Sequence, residues 1–272
     1  MPGRRSLITP DWPAPPGVQA LCTTRAGGVS LPPYDSLNLG SHVGDDPAAV
    51  RANRQRLQAA LHGARPVFLT QVHGDGVVHI TADTQGGTEA DACITDQPGV
   101  ACTIMVADCL PVLLAHESGT VVAAAHAGWR GLAGVNGQGV LESVFKRFQA
   151  LALIQQAPSA IEFRANEVLA WLGPCIGPQA FEVGAEVRAA FCAVDPAAAG
   201  CFTPGGAAGK YLCDLAGLAR RRLNALGLTR IHGNDGTPPW CTVANASRFF
   251  SHRRDTAALG GSGRFAACIW RG

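Results

Sequence analysis

The sequence predicts a mixed α/β (α+β) protein. Three observations carry that expectation. Short β-branched or aliphatic runs broken by Gly, Asp or Pro dominate the middle of the chain, and a few segments place apolar residues at helical spacing. The third is the absence of any fixed-period repeat or low-complexity linker. Of 272 residues, 47% are hydrophobic and 15% charged, which supports a substantial core and excludes collagen-like, coiled-coil and disordered chains. At roughly 150 residues per domain the length allows one large or two small domains. With no linker in sight, a single domain over 1–272 is expected.

Residues 17–24 read as a first strand, followed by a loop over 25–46 dense in Gly, Pro, Ser and Asn. A connection that long inside a compact domain is usually functional. Asp46 then serves as an N-cap with Pro47 at the first helical position, and Val50, Leu57, Ala60 and Leu61 form the apolar side of a helix. Strands are expected over 67–72, 76–80, 101–106, 111–115 and 120–125. Their alternation is poor, so several should be buried on both faces. After a Gly-rich stretch over 128–139 a helix runs through 141–151. Then come a strand over 167–172, a helix over 185–193, an amphipathic helix over 212–226 and a final strand over 264–270.

Charge argues against several functions. The 22 basic and 20 acidic residues nearly balance, with no run of five like charges, so no nucleic-acid or anionic-membrane partner is indicated. The basic N-terminus lacks an apolar h-region, and no apolar stretch approaches the ~20 residues that span a bilayer. Ten cysteines lie scattered without a C-x-x-C pair, which favours reduced thiols over a disulfide framework. A cytoplasmic location is expected. Cys22, Cys102, Cys213 and Cys268 fall in apolar runs and read as core residues; His62, at a helix end, reads as solvated.

Three segments put a metal-ligand type beside turn residues at a strand end: 70–74 (TQVHG), 106–111 (VADCLP) and 125–131 (AHAGWRG). If the strand ends converge, His73, Cys109 and His126 supply two imidazoles and a thiolate, a donor set suited to zinc with one coordination position left open. Taken singly, each is also what a strand end holds by chance. The same three residues would equally serve a cysteine hydrolase, with Cys109 as nucleophile and a histidine as base.

The segments, read in order, resemble one family. TTRAGG (23–28), SLNLG (36–40), VGD (43–45), TQVHG, ADA (90–92), ADCLP, HAGWRG, GPCIG (173–177), FFSHRRD (249–255) and SGR (262–264) together resemble the YfiH-type family. That family is labelled multicopper polyphenol oxidoreductase or laccase and is also described as purine nucleoside phosphorylases. The resemblance implies a single-domain fold with β-sheets sandwiched between helices, and a zinc site on His73, Cys109 and His126, which would then be the catalytic set. It implies phosphorolysis of adenosine, inosine, guanosine and methylthioadenosine with adenosine deaminase activity, making the chain a transferase and hydrolase. Bacterial members are also associated with editing of peptidoglycan precursors. The chain departs from the family where His252 replaces a tyrosine, in an insertion over 256–261, and in a small one at 135–137.

Purine nucleosides and phosphate are thus the expected partners, and a monomer or weak dimer the expected state. A phosphate co-substrate needs cationic donors, for which Arg25, Arg130 and Arg264 are candidates; each also fits a loop-pinning role. Asn38 could bond a ribose hydroxyl or close an Asx-turn. Asp108 could orient a ligand or cap a turn, and Trp129 could stack on a purine or fill the turn. The copper oxidase label fits less well. Eight histidines include no H-x-H pair, and a His/Cys/His site would take up copper in vitro through its general affinity for such donors.

Overall fold

The computed structural model describes residues 7–155 and 163–272. Its elements follow the chain as β1 (Leu7–Ile8), β2 (Val18–Thr23), α1 (Pro47–Ala60), β3 (Arg65–Phe68), β4 (Val77–His79), β5 (Ala92–Thr95), β6 (Val100–Val106), β7 (Leu110–His116) and β8 (Val122–Ala127). Then come α2 (Trp129–Ala133), α3 (Val140–Gln155), β9 (Val168–Leu172), β10 (Glu182–Gly184), α4 (Ala185–Cys192), β11 (Phe202–Pro204) and β12 (Lys210–Cys213). The chain closes with α5 (Leu215–Ala225), β13 (Arg230–Gly233) and β14 (Phe265–Arg271).

Two sheets form the centre. One runs β1-β2-β14-β6-β3, the other β13-β9-β7-β8-β5-β4, and a small third sheet, β10-β12-β11, stands beside them. Most pairings are antiparallel, with β3–β6, β4–β5 and β9–β13 parallel. The expected mixed class, with sheets sandwiched between helices, is what the structure shows.

The packing explains why the strands alternate so poorly in polarity. Along β14, Phe265, Ala267 and Ile269 face the layer between the two large sheets, while Ala266, Cys268 and Trp270 face Leu57 and Leu61 at the end of α1. On β7, Leu113 and Ala115 point into the inter-sheet layer, and Leu110, Val112 and Leu114 point to the helical side, with Val144 and Phe148 of α3 and Leu218 of α5. The period of two survives as a choice between two cores, so both faces are apolar. Cys22, Cys102, Cys213 and Cys268 are buried within these cores, and His62 is exposed, as expected.

Several boundaries differ from expectation, each for a visible reason. The strand expected over 67–72 ends at Phe68, because the chain then leaves β6 for the 87–90 segment, with Thr70 N donating to Thr88 O and Ala90 N to Thr70 O, before the N–H groups of Val72, His73 and Gly74 turn to the Asp91 carboxylate. The helix expected from 212 starts at Leu215: Asp214 caps it by accepting from Gly217 N at 2.8 Å, and the residues before pair as β12. Within 128–139 lies a short helix, α2, then a tight turn in which Asn136 (φ 52°) and Gly137 (φ 79°) supply the left-handed pair that an Asn-Gly turn requires. The long loop over 25–46 is held by one buried residue of α1. Asn53 donates to Ser30 Oγ and to the carbonyls of Ser36 and Asn38, and accepts from Val29 N.

Candidate metal centre

The three strand-end segments do converge. His126 sits near the end of β8, and Cys109 lies in the turn between β6 and β7, whose residue Pro111 is in register with His126. His73 occupies a turn with φ 62°. Their donor atoms lie within 4.8 Å of one another, with Cys109 Sγ 3.7 Å from His73 Nε2 and the imidazole rings edge-on at 4.8 Å. Donors held tetrahedrally at about 2.0–2.3 Å from one ion stand about 3.5 Å apart. The set can therefore hold a metal ion, and it is graded in depth: His126 is 3% exposed, Cys109 half-buried and His73 exposed.

A buried carboxylate orders the cluster. Asp91, fully buried at the start of β5, accepts from His126 Nδ1 at 2.7 Å and from the backbone N–H of Val72, His73 and Gly74 at 3.1, 2.9 and 2.7 Å. It thereby fixes one ligand by its ring and a second by its backbone, and leaves His126 Nε2 free to face an ion. Sequence reasoning quoted this residue within ADA but gave it no role. Its signal was an acid directly abutting the apolar run Ala92-Cys93-Ile94, where a carboxylate carried into the core demands a partner.

Charge inside the cluster is self-consistent. Burial raises the Cys109 thiol, but the His126 and His73 imidazoles outweigh it and bring the thiol down to about 6. Burial pulls His126 down, and the Cys109 and Asp91 anions reverse this and lift it to about 9. Burial also raises Asp91, and its bonds to His126, Gly74 and Val72 hold the carboxyl below its ordinary value. A thiolate at neutral pH is the form a metal requires.

Glycines let the segments meet. A Cβ on Gly128 would lie 2.9 Å from His73 Cδ2 and 3.0 Å from Cys109 Sγ, and one on Gly131 would lie 2.6 Å from Gly74 O. The HAGWRG segment thus packs its backbone directly against the other two.

The cluster opens into a cleft of about 290 Å³. Arg130 and Arg264 line it, as do Trp129, His42, Phe181, His252 and Arg253. Arg130 stacks its guanidinium 4.5 Å over Trp129. Arg264 Nη1 donates to the carbonyls of Ser262 and Gly263. Arg25 and Asn38, expected to bind substrate, do not line this cleft. Arg25 is spent on Asp35 and the Ala246 carbonyl and lies over Phe250. Asn38 is fully buried, bonding Gly40, Asp45 and Arg264 N, the turn-closing alternative. Asp108, at φ 90°, accepts from Thr242 Oγ1 at 2.5 Å and Arg253 N at 2.7 Å, so it straps the 241–253 segment to the cleft instead of holding a ligand. Nothing in the sequence separates Arg253, which lines the cleft, from the adjacent Arg254, whose guanidinium is consumed by Asp255 and three carbonyls.

Fold and site together define a two-sheet sandwich carrying a three-donor, metal-competent centre at the rim of one sheet. The chain belongs to the multi-copper polyphenol oxidoreductase laccase family, whose family model matches residues 19–272. It is 49% identical over 263 residues to purine nucleoside phosphorylase PA4543 of Pseudomonas aeruginosa, covering 97% of each chain. With purine nucleoside phosphorylase YfiH of Escherichia coli it shares 48% over 265 residues, 97% of this chain and 98% of that one. Among solved structures, protein NMB0706 of Neisseria meningitidis superposes with a TM-score of 0.85 at 45% identity, over 98% of this chain and 99% of that one. The hypothetical protein YfiH of Bacillus licheniformis gives 0.80 at 27%, over 94% and 93%. The YfiH-type resemblance read from the motifs is thereby confirmed. No helix among the described residues is long and apolar enough to cross a membrane.

Proposed function

We propose that the chain is a zinc-dependent purine nucleoside phosphorylase that acts on adenosine, inosine, guanosine and methylthioadenosine and also deaminates adenosine. The observation that carries the reading is the juxtaposition of a His/Cys/His donor set with an arginine-rich cleft of small-molecule size, in a chain whose relatives bear the phosphorylase name. His73, Cys109 and His126 hold the ion. When bound, it supplies a Lewis acid that lowers the pKa of water for the deamination.

The chain's own groups do the rest. Arg264 and Arg130 bind phosphate with planar, permanently charged forks, and hold it against the anomeric carbon of the ribose. Trp129 and Phe181 give the apolar walls that a purine needs. Asp91 keeps His126 in one tautomer and one orientation throughout. The protein works in the cytoplasm as a single domain, a monomer or weak dimer, with no nucleic-acid or membrane partner. A copper oxidase draws support from the family label alone, whereas the described residues hold one three-donor group and no multicopper array.

The test combines metal analysis with product analysis. About one zinc per chain should accompany conversion of adenosine and phosphate to adenine and ribose 1-phosphate, with some inosine. Metal-free turnover would favour a cysteine hydrolase on Cys109, and oxidation of phenols without nucleoside cleavage would restore the older label.

A further inference from the structure

Four imidazoles line the cleft: His42, His73, His126 and His252. Three have a ring nitrogen committed. His73 Nε2 faces Cys109 Sγ at 3.7 Å, His126 Nδ1 is bound to Asp91 at 2.7 Å, and His252 Nδ1 meets Thr256 Oγ1 at 3.0 Å. His42 alone among them makes no hydrogen bond through either nitrogen. Its backbone is nonetheless fixed on both sides. Arg54 donates to Leu39 O and Ser41 Oγ before it, and Tyr34 Oη donates to Val43 O at 2.7 Å after it. The loop is pressed against Arg264, since a Cβ on Gly40 would lie 2.9 Å from Arg264 Cγ. An exposed imidazole on a fixed backbone at the cleft wall, beside a cationic side chain and with both nitrogens free, is arranged to pass a proton.

Phosphorolysis needs such a group. The C1′–N9 bond breaks with its electron pair moving onto the purine, while a phosphate oxygen bonds to C1′. The departing base must gain a proton at N7, and the phosphate must lose the one it carries as hydrogen phosphate. We infer that His42 is the proton relay of this reaction: one ring nitrogen takes the proton of phosphate bound at Arg264 while the other delivers its own to purine N7. Atoms and charge balance, because phosphate loses one proton to the imidazole and the base gains one from it. The imidazole ends neutral, with its tautomer exchanged.

The relay needs neutral imidazole, which offers one donor and one acceptor. The surroundings favour that form. Burial, together with the Arg264 and Arg54 guanidiniums, pushes His42 below its ordinary value. His252, bonded to Thr256, lacks the second free nitrogen. No other residue lining the cleft offers a donor and an acceptor together: the amide of Gln71 is used up on both sides by the Met105 backbone.

The inference rests on the phosphorylase reading, and its test separates the two. Phosphate-dependent cleavage of inosine is compared with that of 7-methylguanosine, whose N7 already carries a methyl group and a positive charge, so its base leaves without a proton. In His42→Ala, and in His42→Gln as a volume-preserving second variant, the ratio of inosine to 7-methylguanosine kcat should fall by about 10²–10⁴, the range of general acid–base catalysis. Zinc content and melting temperature should match those of the unaltered protein. Equal losses on both nucleosides, or no loss on either, would overturn the relay while leaving the phosphorylase reading intact. If the unaltered protein cleaves neither nucleoside in the presence of phosphate, the reading fails and the relay with it.

Discussion

Replacing Asp91 by asparagine removes one charge from a site where every lone pair is directed. In the structure Oδ2 accepts from Val72 N and Gly74 N, and Oδ1 accepts from His73 N and His126 Nδ1. An amide NH₂ must replace one of those oxygens. Facing Val72 and Gly74, it sets donor against two donors. Facing His73 N, it does the same once, and it forces His126 to accept at Nδ1 and carry its proton at Nε2, the nitrogen needed for a metal. Either way at least one charge-assisted contact is lost and a buried N–H is left unpaired, at about 1.5–3 kcal/mol for the first and about 1–3 for the second. The sum is a large share of a typical stability of about 5–15 kcal/mol. Metal affinity should fall about 10–100-fold, the usual effect of removing a group that orients a ligand. Competition with a chromophoric chelator reads the second effect, and urea unfolding of metal-free protein reads the first. The acid limb adds a sign. Because the folded carboxyl sits below its ordinary value, its stabilisation is present above the unfolded pKa near 4 and is lost as pH falls through the folded one. Asp91→Asn should therefore lower stability at pH 7 and flatten its fall on acidification. Unchanged metal affinity and an unchanged urea midpoint would refute the ordering role of Asp91.

Gly128→Ala should give a folded protein with weakened metal binding, measured by the same competition, because the new Cβ lies within 3.0 Å of both His73 Cδ2 and Cys109 Sγ; full affinity would show that the two segments yield freely. In metal-free protein Cys109 should be alkylated by iodoacetamide with a half-point near pH 6, followed by mass spectrometry of the Cys109 peptide; a half-point near the ordinary thiol value would deny the imidazole influence. Arg130→Lys and Arg264→Lys should keep zinc but raise the phosphate KM by roughly one to two orders of magnitude, the loss of one charge-assisted contact, with adenosine deamination affected less. Equal loss of both activities would make the arginine a structural residue of its turn.

The candidate ligands were legible because each lies in or beside a turn at a sheet rim, and an apolar run followed by a ligand and Gly or Pro marks such a place. The layered core was legible in part, since poor alternation in 101–106 and 111–115 correctly signalled burial on both faces. Strands β1, β5 and β10 to β13 escaped because they are two to four residues long, too short for a period to register, whereas the equally short β4 was legible only through the wider apolar run of Val77, Val78 and Ile80. The early end of β3 was hidden for a different reason. The 87–90 segment and then Asp91, both distant in sequence, take the backbone groups of residues 68–74, and no local pattern encodes that capture. Arg25 and Asn38 looked like binding residues because both belong to a polar, Gly-rich loop. Their bonds to Asp35 and Gly40 are local, and they become visible only once the loop has closed around Asn53.

The central claim is that phosphate is the nucleophile that separates base from ribose here. Phosphorus NMR of adenosine, inorganic phosphate and the zinc-loaded protein tests it most directly, with the metal-depleted Cys109→Ala protein as reference. The expected result is a ribose 1-phosphate signal growing in step with free adenine in the first sample and absent from the second. Adenine released with free ribose while the phosphate signal stays unchanged, or an equal ribose 1-phosphate signal from the Cys109→Ala protein, would contradict the account.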